Sequence, residues 1–458
     1  HVGTLNMNGG SINFVMLSGD LNIDEIGGVA GDVIVTVKDG DVSIKNNDTG
    51  NVTIIAETGA VDVSLEADTL SIIANGDINI VEADDVVISE IVQNKAGGSI
   101  TINAGGNVTL SESINLTQSG MVNITAGNDG TGTLTINSSI TSETGAITLT
   151  AGSGMTFSEE ASITTDASIT LNAGDGDLTM GNDTIINAGS GAIDIDAGGT
   201  IGMGTVKTTG TDDLSIISTN GAVVDINDHP LDIQAPQAKL IIQAKTGIGA
   251  LDTQVAFIDL TNTESGNIEI EEQDTLTISN ISQTGSGTVT IQTIDGAIVI
   301  DSDGTALTSG TGTLTIQAGG ETNAKLDLND PIQTTGGGVS LITESGNLTL
   351  SSGIEITGSG NIVLKASEGA IQVNPELTGW LTDYTEGIEW ALKNGRFAVD
   401  VDTGKISLDD QKVSLEEKAD HFDPSLADQS IVLREAEGVY LQTTDGGIFM
   451  EAKTILDN

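Results

Sequence analysis

The chain has 458 residues, no cysteine and a net charge of −51. The missing cysteine excludes disulfides and thiolate metal sites, and the acidic surface disfavours nucleic acid and anionic membranes as partners. Hydrophobic residues make up 37% of the chain but aromatic residues only 2%, so we expect a narrow aliphatic core. No run approaches the about 18 uninterrupted apolar residues of a membrane span, so we expect no membrane insertion. We also expect no signal peptide within these residues, because they open without a basic stretch followed by an apolar run.

The first part of the chain contains apolar-rich segments that recur at a regular spacing, which is shorter than the spacing of the later repeats. These segments are residues 11–17, 32–37, 51–56 and 70–74. Apolar residues alternate with polar ones within them, which is typical of strands with one buried face. We interpret them as strands of short coils in which one side is trimmed.

From Gly98 onward, pairs of apolar residues at positions i and i+2 recur at fairly even intervals, most of them shortly after a glycine. Each pair predicts a strand whose apolar side chains face inward, while Thr, Asn, Asp or Ser faces outward. The pairs are Ile100/Ile102, Val122/Ile124, Ile147/Leu149, Ile169/Leu171, Ile193/Ile195, Leu214/Ile216, Leu240/Ile242, Ile268/Ile270, Val289/Ile291, Leu314/Ile316, Val339/Leu341 and Ile362/Leu364.

Two shorter strands complete each repeat. The second strand carries pairs such as Val108/Leu110, Leu134/Ile136, Leu178/Met180 and Leu348/Leu350, and the third carries Ile114/Leu116, Ile163, Ile332 and Ile354/Ile356. Three strands and three corners in about two dozen residues describe one coil of a parallel β-solenoid, in which stacked coils enclose a continuous core. The sequence therefore predicts an all-β solenoid shaft over residues 1–375, with about sixteen coils.

The composition changes after Pro375. Seven of the ten aromatic residues and both arginines, Arg396 and Arg434, follow it. Residues 383–395 predict a short helix that ends at Gly395, and residues 396–408 predict a hairpin that turns at 402–404.

We accordingly expect a small α/β insertion over 376–428 and a terminal solenoid coil over 429–458. The insertion can pack against the solenoid or dock a partner, and these two interpretations are compatible. One strongly apolar strand lies near each end of the sequence, which favours head-to-tail contacts with copies of the chain or with flanking repeats of a longer chain.

Enzymatic β-helices that cut polysaccharides need paired carboxylates, usually beside Arg or Lys and aromatic rings. Residues 1–375 contain no Arg, Trp or Tyr. The closest acidic pairs are Asp194/Asp196, Glu269/Glu271 and Asp400/Asp402, each expected on one strand face. Because such spacing arises in any acidic strand, we predict solvated surface groups, no catalytic residues and no enzyme activity.

Metal and cofactor sites are equally sparse. Residues 301–304 and 400–410 resemble calcium loops, but neither has the Glu at position 12 of an EF-hand loop. We expect no cofactor and leave weak Ca²⁺ binding open. His229, a lone histidine before Pro230, is interpreted as a turn residue.

Residues 244–281 resemble repeats of very large bacterial surface proteins of the filamentous-haemagglutinin type. The resemblance lies in GIG, LDTQV, SGNI-x-I-x-E and LTI, and in lines such as GAITLTA at 145–151 and GSITINA at 98–104. It covers roughly residues 30–375. The resemblance implies an exported, right-handed β-solenoid without catalytic residues in its repeats.

We therefore expect a non-enzymatic, extracellular or cell-surface protein, a rod-like subunit or segment of a surface filament or giant adhesin that stacks end to end. Glycans or cell surfaces are further possible partners. The alternative is a carbohydrate-active β-helix enzyme or a glycan-binding module.

Overall fold

The computed structural model describes residues 2–6, 10–27, 31–227, 229–322 and 324–373, and six strands between Phe397 and Asp457. The described residues form strands and no helix. Parallel strands stack as a β-solenoid of about 16 turns in all, which confirms the predicted fold class. Two compact units are present, residues 1–238 and 239–458. The predicted helix over 383–395 and the hairpin turn at 402–404 lie outside the described residues.

The strands of the first unit are short and regularly spaced. They are β1 (Val2–Asn6), β2 (Ile12–Met16), β3 (Leu21–Gly27), β4 (Val33–Val37), β5 (Val42–Ala56), β6 (Val61–Ala74), β7 (Ile78–Glu82), β8 (Val86–Gln93), β9 (Ile100–Ala104), β10 (Val108–Leu110), β11 (Ile114–Leu116), β12 (Val122–Ala126), β13 (Leu134–Ile136), β14 (Ile140–Ser142), β15 (Ile147–Ala151), β16 (Met155–Phe157), β17 (Ser162–Thr164), β18 (Ile169–Asn172), β19 (Leu178–Thr179), β20 (Ile185–Asn187), β21 (Ile193–Ala197), β22 (Ile201–Met203), β23 (Thr205–Lys207), β24 (Leu214–Ser218) and β25 (Val223–Asp225). Strand β26 (Ile233–Ala244) has residues in both units.

The second unit repeats this style. Its strands are β27 (Ile248–Asn262), β28 (Ile268–Glu272), β29 (Leu276–Gln283), β30 (Val289–Thr293), β31 (Ile298–Ile300), β32 (Leu307–Ser309), β33 (Leu314–Ala318), β34 (Leu326–Leu328), β35 (Ile332–Thr334), β36 (Val339–Thr343), β37 (Leu348–Leu350), β38 (Ile354–Ile356), β39 (Ile362–Val373), β40 (Phe397–Asp400), β41 (Lys405–Leu408), β42 (Gln411–Val413), β43 (Ile431–Arg434), β44 (Tyr440–Thr443) and β45 (Ile448–Asp457).

From β9 onward, each coil of the first unit has three sides. Strands β9, β12, β15, β18, β21 and β24 pair in parallel on the first side. Strands β10, β13, β16, β19, β22 and β25 form the second side, and β11, β14, β17, β20 and β23 form the third. The strands of successive coils therefore run parallel to one another on each of the three sides, as stacking of one coil on the next requires.

The predicted inward residues form the core. Ile100, Val122, Ile147, Ile169 and Ile193 lie in register on the first side and are fully buried. The second unit has the equivalent column Ile268, Val289, Leu314, Val339 and Ile362, also fully buried. Aliphatic side chains stack on one another along each side, so every coil buries the apolar face of its neighbour.

The first coils are simpler than the later ones. Strands β5 and β6 run without interruption for 15 and 14 residues, through the place where later coils have a corner. Residues 33–37, 52–56 and 70–74 stack in parallel on one side. The trimmed side predicted for these coils is therefore confirmed.

One predicted alignment is wrong. Leu240 and Ile242 are buried as expected, but the strand that pairs with Ile268 and Ile270 supplies Ile248 and Leu251 instead. The reason is that β27 runs unbroken for 15 residues. Regular spacing alone therefore misplaced this coil by one strand.

Near the end of the chain, antiparallel pairing joins the parallel ladder. Strands β40 and β41 pair antiparallel, with Phe397 opposite Leu408, as the sequence predicted for this hairpin. Strands β44 and β45 continue the parallel ladder on β38 and β39. Strand β43 lies antiparallel to β44, which the sequence did not predict.

Candidate functional site

Two of the acidic pairs, Asp194/Asp196 and Glu269/Glu271, lie on outward strand faces, as predicted. Asp194 is exposed and Asp196 half-buried on β21. Burial, and then the neighbouring Asp194 carboxylate, raise the pKa of Asp196. Their partners in register on β18 are Thr170 and Asn172, so the strand pairing places a hydroxyl and an amide beside these acids rather than a guanidinium.

The other two acidic pairs differ in their surroundings. Glu269 is exposed and Glu271 half-buried on β28, and the Gln292 side-chain amide donates a hydrogen bond to Glu271 Oε2. Asp400 ends β40, whereas Asp402 lies outside the described residues. Glu269 and Glu271 are therefore strand-surface carboxylates, and the identified partner of Glu271 is polar and uncharged.

The segment 301–304, which resembles a calcium loop, is hydrogen-bonded to another side chain of the protein. Asp330 accepts hydrogen bonds from the backbone amides of Ser302 and Gly304, at 2.5 and 3.1 Å. Asp303 and Gly304 take left-handed backbone conformations, with φ of 54° and 79°. Across the described part of the chain, no group of three or more His, Asp and Glu side chains is placed to hold a metal ion. The candidate loop at 400–410 lies partly outside that part.

His229 is part of a turn. Its backbone amide donates to Asn227 Oδ1 at 2.7 Å, and its Nε2 lies 3.1 Å from Asp183 Oδ1. The Asn227 side chain is buried and donates to Asp232 Oδ1 at 2.7 Å. These contacts agree with the interpretation of His229 as a turn residue.

A polar groove with a volume of about 500 Å³ lies on the third side of the second unit. Its strand wall is a column of outward residues in register, Thr308, Gln333 and Glu355. Gln333 Nε2 donates to Glu355 Oε2 at 3.2 Å. The residues that follow these strands, Gly310, Thr335 and Thr357, also line the groove, together with Thr284. The lining residues offer hydroxyl, amide and carboxylate groups for hydrogen bonding, beside the exposed carbon atoms of the same side chains.

Two glutamates lie inside the core, which the sequence analysis missed. Glu82 and Glu272 are 1% and 0% exposed. Each ends a first-side strand, β7 or β28, and is in phase with the inward isoleucines of that strand. A carboxyl group in this position must be neutral or well supplied with donors.

The two carboxyl groups have matching partners. Glu82 Oε1 accepts from the amide of Ala67 at 3.0 Å, and Glu272 Oε2 accepts from the amide of Val255 at 3.0 Å. Each donor lies two residues after the residue that pairs with the glutamate, Leu65 in β6 or Thr253 in β27. Both donors belong to the long strands that lack a corner. The carboxyl group therefore accepts a hydrogen bond from a backbone amide at the place where a long strand meets a coil with a corner.

Burial is the main influence on both acids. It raises the pKa of Glu82 from an ordinary value of 4.5 to about 7, against the lowering effect of hydrogen bonds from the amides of Ala67 and Ala83. Burial likewise raises the pKa of Glu272 to about 8, against the hydrogen bonds from Thr253 and two backbone amides. Among the described residues Glu82 Oε2 has no hydrogen-bond partner. A neutral carboxyl group tolerates such a position better than a carboxylate.

A buried glutamine accompanies each glutamate. Gln93 Nε2 donates to the Gly76 carbonyl at 3.0 Å, and Gln283 Nε2 donates to the Gly266 carbonyl at 2.7 Å. The interval along the chain from Glu82 to Glu272 equals the interval from Gln93 to Gln283. The same polar pair therefore occurs once in each unit.

The sequence carries a signal for this pair. Residues 76–93 and 266–283 align without gaps and are identical at nine of 18 positions. The shared residues include the glycine, both inward isoleucines, the glutamate and the glutamine. A search for a period much longer than one coil would have found it.

Comparisons with known proteins add no assignment. No protein-family model, curated protein or solved structure matches this chain. Within the described residues, no helix has the length and hydropathy needed to cross a membrane.

Proposed function

We propose that this chain is a non-enzymatic structural or adhesive segment of an extracellular, cell-surface protein, in the manner of a filamentous-haemagglutinin-type adhesin. The observation that carries the proposal is the parallel stacking of coils within each unit, with aliphatic columns inside. A fold of this kind grows by adding coils, and it presents long strand faces to the solvent. The net charge of −51 supports a soluble surface that is tolerated where salt screens it.

The partners proposed for such a segment are copies of itself or flanking repeats of a longer chain. A parallel ladder is extended by any further coil that carries the same inward pattern. No cofactor is part of the proposal. The outward acids beside hydroxyl and amide groups support a surface role for Asp194 and Asp196 rather than a role in hydrolysis.

Localisation tests the proposal directly. Antibodies raised against the purified chain are applied to intact and to permeabilised cells that produce the natural protein. We expect equal labelling of both, because the segment is proposed to lie outside the cell. Labelling that requires permeabilisation would refute the extracellular assignment.

Enzymatic activity is tested separately on pectin, alginate and neutral polysaccharides. We expect no release of reducing ends. Turnover that is lost in an Asp194→Asn/Asp196→Asn variant, and retained in a Glu269→Gln variant, would overturn the non-enzymatic assignment.

The polar groove favours a second candidate function, a glycan-binding module. Thr308, Gln333 and Glu355 offer a hydroxyl, an amide and a carboxylate in a row, and successive coils repeat at about 4.8 Å. Such groups hydrogen-bond the hydroxyls of a neutral sugar chain. Titration with neutral oligosaccharides tests this, with Gln333→Ala expected to abolish binding. Thr315→Ala, on the first side of the same unit, serves as the control. Equal binding by both variants would exclude the groove.

A further inference from the structure

Glu82 and Glu272 mark the same structural event in each unit. A long strand without a corner, β6 or β27, is followed by a coil with a corner after β7 or β28. The backbone register between the two coils shifts within β6, between Leu70 and Ser71, and within β27, between Ile258 and Asp259. A register shift leaves backbone groups without their regular ladder partners.

The carboxyl group bridges the two coils at this step. Ala83, directly after Glu82, donates through its amide to Oε1 at 3.1 Å, while Ala67 of the preceding coil donates to the same oxygen at 3.0 Å. In the second unit, the amides of Asp274 and Val255 both reach Glu272 Oε1, at 3.3 and 3.2 Å. The glutamate side chain therefore joins the corner of its own coil to the long strand of the preceding coil.

The residues in the same register position on the following coil are small. Glu82 pairs with Ala104 and Glu272 with Thr293. A glutamate is therefore not needed at this position where two successive coils both have a corner. It occurs where a coil with a corner follows a long strand, once per unit. Recurrence of the glutamate together with its glutamine, at one and the same interval along the chain, argues against an accidental burial.

The charged side chains that act on these two groups are all acidic. Glu66 of β6 and Asp84 of the corner act on Glu82, and Asp274 of the corner acts on Glu272. The partners in register on β9 and β30 are uncharged. Ionisation of either glutamate would thus place a negative charge in the core beside other negative charges, which is costly.

We propose that Glu82 and Glu272 are twin proton-dependent latches, each of which holds the coil with a corner against the long strand below it when protonated and releases that joint when it ionises. This device goes beyond the proposed surface role. It gives each unit a defined place to open as the pH rises, while the aliphatic columns do not titrate.

The direction of the effect follows from the raised pKa values. An unfolded or locally opened glutamate ionises near 4.5, whereas Glu82 and Glu272 hold their protons to about 7 and about 8. The closed joint is therefore most stable below pH 4.5 and weakens as the pH rises toward those values. The full change corresponds to about 300-fold in the opening equilibrium at Glu82 and about 3000-fold at Glu272.

Hydrogen exchange of the full chain between pH 5 and pH 9, corrected for intrinsic exchange, measures the opening. We expect the protection of the Ala67 and Val255 amides to fall with pH in the natural protein. In Glu82→Gln the fall disappears at Ala67 only, and in Glu272→Gln at Val255 only. The control Glu269→Gln, an exposed acid on the same strand as Glu272, leaves both falls unchanged.

Natural pH dependence in both glutamine variants would overturn the proposal. A second measurement covers the case in which a variant does not fold. Infrared spectra of the natural protein at pH 6 are expected to show the carbonyl stretch of a protonated carboxyl group in D₂O, and the band is expected to vanish by pH 9. Absence of that band at pH 6 would show that the buried glutamates are ionised, and would equally refute the latch.

Discussion

Adjacent glycines at one corner of the second unit should respond oppositely to the same substitution. A Cβ on Gly337 would lie 1.7 Å from the Gly312 carbonyl oxygen of the coil below. A Cβ on Gly336 would meet nothing closer than 3.7 Å, the distance to Thr311 Cγ2. The two positions differ in how closely the stacked backbones approach, so Gly337→Ala and Gly336→Ala form a matched pair.

The cost of Gly337→Ala follows from the hydrogen bonds around it. Carbon and oxygen atoms do not approach within 3.0 Å in such contacts, so the two coils must separate by more than 1 Å. That movement breaks the bond from the Leu314 amide to the Gly338 carbonyl, now 2.9 Å long, and strains the bond from Thr334 Oγ1 to the Gly337 carbonyl, now 2.8 Å. Losing the bond between the coils, with the Gly338 carbonyl left half-buried, costs up to about 3 kcal/mol.

The assay must be local, because a long array of coils need not unfold in one step. Hydrogen exchange of the full chain is therefore read at the amides of residues 312–341. We expect a loss of protection of about 100-fold in Gly337→Ala, and no loss in Gly336→Ala, which reduces the freedom of the unfolded chain and stabilises by about 0.4–1 kcal/mol. Equal protection in the two variants would show that the coils are not stacked this closely.

Two further substitutions test the inward columns and the corners. Ile291→Asp places an unpaired charge in the core and should cost about 3–5 kcal/mol. Thr315→Asp, on the outward face of the neighbouring strand between Thr290 and Ser340, should change stability by less than about 0.5 kcal/mol. Similar local hydrogen exchange in the two variants would contradict the inward assignment. Thr334→Val keeps the side-chain shape but removes the donor to the Gly337 carbonyl, for an expected loss of about 1–3 kcal/mol. Thr334→Ser should retain most of the stability. Equal local hydrogen-exchange protection in the Val and Ser variants would show that the hydroxyl contributes nothing.

Much of the fold could be predicted because the alternation of apolar and polar residues fixes which side chain faces inward. Ile193 and Ile291 are buried as that pattern requires. Alternation does not fix which strand of one coil pairs with which strand of the next. Leu240 and Ile248 both satisfy the inward pattern, and only the absence of a corner within β27 decides that Ile248 pairs with Ile268.

The buried acids were missed for a different reason. Glu82 follows Ile78 and Ile80 at the same spacing of two residues, so the alternation itself points the glutamate inward. The expectation that charged residues face the solvent overrode that pattern. A glutamate in phase with inward isoleucines, repeated at Glu272, indicates a polar requirement of the backbone rather than an irregular strand.

Many outward acids also have a backbone role. Asp85 Oδ1 accepts from the Asn107 amide at 2.7 Å, and Asp177 Oδ1 accepts from the Thr200 amide at 2.7 Å, in both cases across to the next coil. Asn107 Oδ1 accepts from the Thr133 amide at 2.8 Å in the same way without a charge. The corner therefore requires an oxygen acceptor and not a carboxylate.

The surplus of acid is consequently a property of the surface rather than of the coil. Aliphatic columns and backbone ladders, which carry no net charge, govern the stacking of coil on coil. Like charges on the outward faces and corners oppose the association of two such surfaces side by side. A net charge of −51 therefore opposes lateral aggregation of the strand faces more than it opposes the stacking of one coil on the next. This directional preference is what the proposed role as a segment of a surface filament or long adhesin requires.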